Sequence, residues 1–297
     1  LVQIFARNSR GDFWKMRLLV FFFIPFVLVT IWFKDGNILG TGESGLPFYD
    51  SNLQYDINKD AWAKYALGHP TNIGIAAKPT YWFMALLQSM AIPGFLIQAF
   101  FLWFNLLVAG LSIYYLTRIF FPKLPNSVVF LAPLFYWFNP FSMVNVWNRF
   151  LNNFISFYAF LPLVLLLFVK GIQTKRYIYA FLIGFCSAIF SYTLTSIAFN
   201  ILLWLVLIYT TLFYLFINKQ SKLFVFKFFT LTLLFFGLIN FRWISQVISY
   251  IGLGSFSVVE STSFTTNSNY LTFNQLSQRL GSLTDLFRFK HATFFAD

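Results

Sequence analysis

Five of the nine carboxylates in this 297-residue chain fall between residues 35 and 60: Asp35, Glu43, Asp50, Asp56 and Asp60. Glu43 lies in the run Gly42-Glu43-Ser44-Gly45-Leu46-Pro47, whose Gly and Pro density indicates turns rather than helix. A carboxylate held on such a turn can act as a general base toward a polar substrate. Taken singly, each acid also reads as an ordinary solvated loop residue or a helix cap, as with Asp60 before Ala61-Trp62-Ala63. Taken as a group, the Gly-Glu-Ser-Gly cluster favours chemistry, with Glu43 and Asp50 as the candidate bases. Two arginines complement them. Arg149 lies in Asn145-Val-Trp147-Asn148-Arg149-Phe-Leu-Asn152-Asn153, and Arg242 follows Asn240-Phe241. A guanidinium can hold phosphate through two oxygens, and beside Trp it can equally anchor a helix at a membrane interface. With His69 and His291 the only histidines and Cys186 the only cysteine, a His or Cys metal cluster is not expected. A hard divalent cation on the carboxylates is the one cofactor these residues would suit.

The elements that must position these groups are set by composition. Hydrophobic residues make up 59% of the chain and charged residues 10%, against roughly 25% charged in an average soluble domain. So few charges cannot cover a soluble surface, which excludes a soluble enzyme, a disordered chain and a disulfide scaffold. Apolar runs near 17–33, 95–117, 127–143, 153–169, 177–193, 199–217 and 223–243 each approach the ~20 residues needed to cross lipid as a helix. The first has basic residues before it and no small-residue cleavage site after it, so it reads as an uncleaved span.

Charge gives the orientation. With the N-terminus in the cytoplasm, Arg7, Arg10, Lys15, Arg17, Arg118, Lys123, Lys170, Lys175, Arg176, Lys219, Lys222 and Lys227 all fall inside. Every acid except Asp12 then falls outside. The net charge of +12 is mainly an inner-surface charge suited to anionic lipids, so no nucleic-acid partner is implied. Residues 81–92 are apolar but too short to cross, and Pro93-Gly94 interrupts them. They read as a helix in the outer interface, with Tyr81 and Trp82 at headgroup level. The fold expected is an all-α bundle of about seven spans. Residues 1–253 form the membrane domain, 34–80 its long first outer loop, and 254–297 an outer polar segment that begins a further region. The spans hold almost no ionisable groups, which argues against an ion-coupled transporter.

This pattern of basic start, single span, acid-bearing outer loop, interfacial helix and packed spans resembles the GT-C superfamily of membrane glycosyltransferases. The closer likeness is to arabinofuranosyltransferase-like envelope proteins. Two runs carry it: Gly42-Glu43-Ser44-Gly45-Leu46-Pro47, similar to a Gly-Asp-Ser/Thr-Gly-Leu-Pro run, and Tyr136-Trp-Phe-Asn139-Pro140-Phe141. The resemblance covers roughly residues 12–250. It implies transfer of a sugar from a polyprenyl-phosphate donor, delivered from the bilayer, to a glycan or glycoprotein acceptor on the outer face of the plasma membrane. Glu43 or Asp50 would take the acceptor's proton in a single inverting displacement, and Arg149 or Arg242 would hold the leaving phosphate. The resembled run usually has Asp where Glu43 stands. Glu keeps the carboxylate and lengthens its reach, so Glu43 acts, Asp50 acts instead, or this copy is inactive. A flippase of lipid-linked glycans and a non-catalytic assembly factor are the other readings the spans allow.

Overall fold

The computed structural model describes residues 19–40, 45–60, 62–63, 69–70, 73–147, 150–216 and 222–252. Within them the chain is an all-α, polytopic membrane protein. A single two-residue antiparallel ladder, β1 (Trp62–Ala63) against β2 (His69–Pro70), is the exception among the described residues. The helices are α1 (Leu19–Trp32), α2 (Leu46–Tyr49), α3 (Ser51–Asn58), α4 (Lys78–Ser89), α5 (Gly94–Phe120), α6 (Asn126–Phe138), α7 (Pro140–Asn145), α8 (Asn152–Thr174), α9 (Ile178–Ile189), α10 (Ile197–Phe216), α11 (Lys222–Ile239) and α12 (Phe241–Gly252). Four of them, α5, α8, α10 and α11, are long and apolar enough to cross a bilayer.

The core forms around α8, which packs against α5, α9 and α10. Burial covers 72% of its apolar window, against 22% for α10 and α11, so α8 is the central helix and the other two face lipid. α5 carries α6 on another side through a close approach at Gly110. A Cβ placed there would lie 2.1 Å from the Trp137 ring, so only Gly admits the indole. Trp137 is 1% exposed, and its Nε1 donates to the Leu106 carbonyl at 3.0 Å, which satisfies the one polar atom it buries.

Three of the expected spans are interrupted, each for a local reason. The stretch 127–143 splits into α6 and α7 at Asn139. Pro140 cannot continue the hydrogen-bond ladder, and the Asn139 side chain accepts from Ser142 N at 2.9 Å, capping the new helix. Ser142 Oγ, Tyr136 and Tyr158 close the break, with the two tyrosine rings stacked 4.2 Å apart. The stretch 177–193 forms α9, only 12 residues, followed by a 3₁₀ turn Ser191–Thr195. α9 alone rises about 18 Å. That is short of the ~30 Å of hydrocarbon a span must cross. The last span ends at Ile239. α12 then begins at Phe241, inside the stretch expected to continue the span to residue 243.

Contacts divide the bundle into two ends. At one, Gln173 Nε2 donates to Tyr214 Oη at 3.4 Å and Tyr177 packs on Phe224 at 4.9 Å, which places Lys170, Lys175, Arg176 and Lys222 together. α8 stops there in a Schellman turn: Lys175 is left-handed, and Arg176 N and Lys175 N donate to Gly171 O and Ile172 O. At the other end, Thr80 Oγ1 and Ser191 Oγ are hydrogen-bonded at 2.7 Å, and Asn240 Nδ2 donates to Ser187 Oγ at 2.6 Å. The acids Asp50, Asp56 and Asp60 belong to this second end.

Candidate functional site

The acid-bearing loop is tied to the bundle by two glutamines and two cations. Gln98, in the second turn of α5, is 0% exposed. Its Oε1 accepts from Leu39 N and its Nε2 donates to Leu39 O, both at 2.7 Å, as a strand neighbour would. At the far end of α4, Gln88 Oε1 accepts from Asn52 N at 2.9 Å and Nε2 donates to Tyr49 O at 3.3 Å. Between these clamps α2 lies directly on α5. A Cβ on Gly94 would meet the Phe48 carbonyl oxygen at 2.1 Å, a backbone atom with no freedom to yield. The loop therefore rests on α4 and α5 through its main chain and the buried Phe48 ring, with Ser51 and Asn58 of α3 buried and the acids Asp50 and Asp56 more exposed.

Asp50 occupies the joint between α2 and α3. Its Oδ1 accepts from Leu53 N at 2.9 Å, so it is the N-cap of α3. α3 ends at Lys59, where charge gathers. Lys59 Nζ pairs with Asp56 Oδ1 at 2.7 Å, and that bond raises the lysine's pKa. The Lys59 carbonyl accepts from Lys78 Nζ at 3.0 Å and also from the Arg242 guanidinium at the start of α12, 183 positions away. Lys78 also lies over the Tyr55 ring, 5.8 Å from its centroid. Its pKa falls below 10.5, first because half-burial disfavours the charge and then because Arg242 is close. Asp60 partly offsets that fall. Two cations sharing one neutral oxygen, with a carboxylate close by, form an anion-receptive corner.

Of the four residues singled out from sequence, Glu43 and Arg149 lie outside the described residues. Asp50 and Arg242 are not brought together: they mark opposite ends of α3, about 13 Å apart along its axis at 1.5 Å per residue. Lys78 and Asp60 are the site residues that the sequence reading did not select. A Lys at the first position of α4, next to Pro79, was the available signal, but nothing local links it to Arg242. The Tyr136-Asn139-Pro140 run serves as a helix break and cap. Among the described residues, no group of three His, Cys, Asp or Glu could hold a metal ion. Tyr81, expected at headgroup level, is buried against Tyr192 at 5.3 Å, whereas its neighbour Trp82 is half exposed.

No protein-family model, curated protein or solved structure matches this chain.

Proposed function

We propose that this integral membrane protein is a glycosyltransferase of GT-C type, moving a sugar from a polyprenyl-phosphate donor to an envelope glycan or glycoprotein acceptor on the outer face. The reading rests on the convergence of Lys78 and Arg242 on a single carbonyl, at the acid-bearing end of the bundle. A lipid phosphate would bring to these cations the negative charge that the shared carbonyl does not. Its oxygens match a guanidinium fork better than a lone carbonyl does. In this account the N-terminus and the basic end face the cytoplasm, seven segments cross, and α4 lies in the outer interface with Trp82 toward the headgroups.

Chemistry follows from what sits near the phosphate. As the acceptor oxygen attacks the anomeric carbon, the C–O bond to phosphate breaks and negative charge grows on the leaving group, where Arg242 and Lys78 stabilise it. A carboxylate takes the acceptor's proton. Base and leaving group flank one carbon, so each lies within about one hydrogen-bond reach, ~3 Å, of its own oxygen. Asp50, at the far end of α3, is less well placed for this than Asp60, whose charge acts on Lys78. Glu43 keeps the role its motif implies, and a divalent cation, where the reaction uses one, would draw on the same loop carboxylates.

The test is binding of a polyprenyl phosphate to the full chain in nanodiscs. R242Q and K78Q should each weaken binding about tenfold, the scale of one charge-assisted hydrogen bond. Unchanged affinity in the double variant would remove the phosphate site from Lys78 and Arg242.

A further inference from the structure

The end of the bundle opposite the acids carries a charged patch of its own. Lys170, Lys175, Arg176 and Lys222 are exposed there. The Tyr177–Phe224 contact at 4.9 Å holds the turn between α8 and α9 against the start of α11. The described carboxylates, Asp35, Asp50, Asp56 and Asp60, belong to the other end, so no described acid neutralises this patch. The turn fixes where two of the cations stand. Lys175 is left-handed at φ 54°, and the main-chain N–H groups of Lys175 and Arg176 are taken by the last carbonyls of α8. Lys170 Nζ lies over the Tyr179 ring, 5.8 Å from its centroid. From the patch an apolar stripe descends α9 into the membrane. Tyr177, Phe181 and Phe185, spaced four apart and so on one face, are 42%, 42% and 50% exposed. The Phe181 and Phe185 rings stack at 6.4 Å. At 1.5 Å per residue the stripe is about 12 Å long, most of one leaflet of a ~30 Å hydrocarbon core.

We propose that this end binds one anionic phospholipid, its phosphate held by Arg176 with Lys175 and Lys222 alongside, and an acyl chain laid along Tyr177, Phe181 and Phe185. A guanidinium fork takes two phosphate oxygens, and a lysine beside it adds charge without a geometric demand. Headgroup and chain requirements meet on one surface, with cations at the helix end and exposed aromatics running down from them. A soluble acidic segment would engage the cations alone. A zwitterionic lipid brings its own cation to the patch, which offsets much of the attraction. The site is separate from Lys78 and Arg242 at the opposite end, so it stands or falls independently of sugar transfer.

The test is lipid binding to the full chain in detergent, read by native mass spectrometry, with phosphatidylglycerol and phosphatidylcholine of matched chains. Phosphatidylglycerol should bind at least about tenfold tighter, and R176Q and K222Q should each lower that preference about fivefold. K123Q removes a charge of the same sign at the same end, on the connection between α5 and α6, and should leave the preference unchanged. F181A should weaken both lipids alike and keep the preference. These side chains are exposed and the turn is closed by main-chain bonds, so the variants spare the fold. Equal affinity of the wild type for the two lipids, which needs no variant, would overturn the proposal. An equal loss in K123Q would also overturn it and assign the preference to diffuse surface charge. Displacement of phosphatidylglycerol by glycerol phosphate would make this a soluble-phosphate site, and displacement by a polyglutamate peptide would give it to an acidic protein segment; either result refutes the lipid.

Discussion

Replacing Gln98 by Leu should free the acid-bearing loop without unfolding the bundle. Gln98 makes two 2.7 Å hydrogen bonds to the two main-chain polar groups of Leu39, and its side chain is wholly buried. Leucine is similar in volume and apolar, so packing on α5 is kept while both bonds are lost. Each bond contributes about 1 kcal/mol net. Leu39 is half-buried, so its freed N–H and C=O regain part of their hydration when the segment lifts. The cost of lifting residues 36–40 should thus fall by about 2 kcal/mol, which corresponds to roughly 30-fold faster local opening. Amide hydrogen exchange by mass spectrometry reads this directly: peptides covering 36–40 should exchange roughly 30-fold faster in Q98L, while α8 peptides stay protected. Q98E should open at least as readily as Q98L, because a buried carboxylate would face Leu39 O without a donor. Sugar transfer should fall in the order of loop opening if Glu43 is the base. Wild-type exchange over 36–40 in Q98L would refute the clamp.

The remaining predictions concern neighbouring contacts. G94A would by itself favour the start of α5 by up to about 1 kcal/mol on helix propensity, yet the clash with Phe48 O should win and displace α2. A lower melting temperature together with faster exchange over 45–50 would show this, and a gain in stability would count against it. N139A removes the α7 cap and should cost about 1 kcal/mol, measured by detergent unfolding of the bundle; a smaller loss than at an exposed Ala substitution would contradict the capping role. Lys78 has a depressed pKa, so it deprotonates below 10.5. Between its folded value and 10.5 the unfolded chain binds more protons, so its contribution to stability should rise with pH while phosphate binding falls. K78R should keep the phosphate affinity flat across that window, and a wild-type profile in K78R would exclude Lys78 from the site.

Hydropathy made the apolar helices legible, because Phe- and Leu-rich runs have no alternative to lipid or core. Their interruptions were less so. Asn139-Pro140 is a break in any reading of local chemistry, but the apolar residues on both sides mask it. The 3₁₀ turn at 191–195 looks like a continuing span because Ser, Thr and Tyr are common inside membrane helices. α12 was hidden by the polar stretch that follows it, although Phe241, Trp243, Ile244, Val247 and Ile248 repeat with helical spacing. The charged corner was the least legible. Arg242 reaches Lys59 from 183 positions away, and only the packing of α12 on the turn before α4 brings Lys78 into the same place. Asp50 was visible as a carboxylate of the acid-bearing loop; that its oxygen caps α3 depends on a turn that residue type alone does not specify.

The central claim is that an outer-loop carboxylate and the Lys78–Arg242 pair transfer a sugar from a lipid phosphate. The most direct test is transfer of labelled sugar from a polyprenyl-phosphate donor by the purified full-length protein, comparing wild type with E43Q, D50N, D60N and R242Q. D50N keeps a good N-cap, so any loss it shows is chemical rather than structural. The account predicts transfer by wild type, sharp loss in R242Q, and loss in one carboxylate variant that still binds the donor. Equal transfer by all five proteins, or none by wild type from any polyprenyl-phosphate sugar, would contradict it.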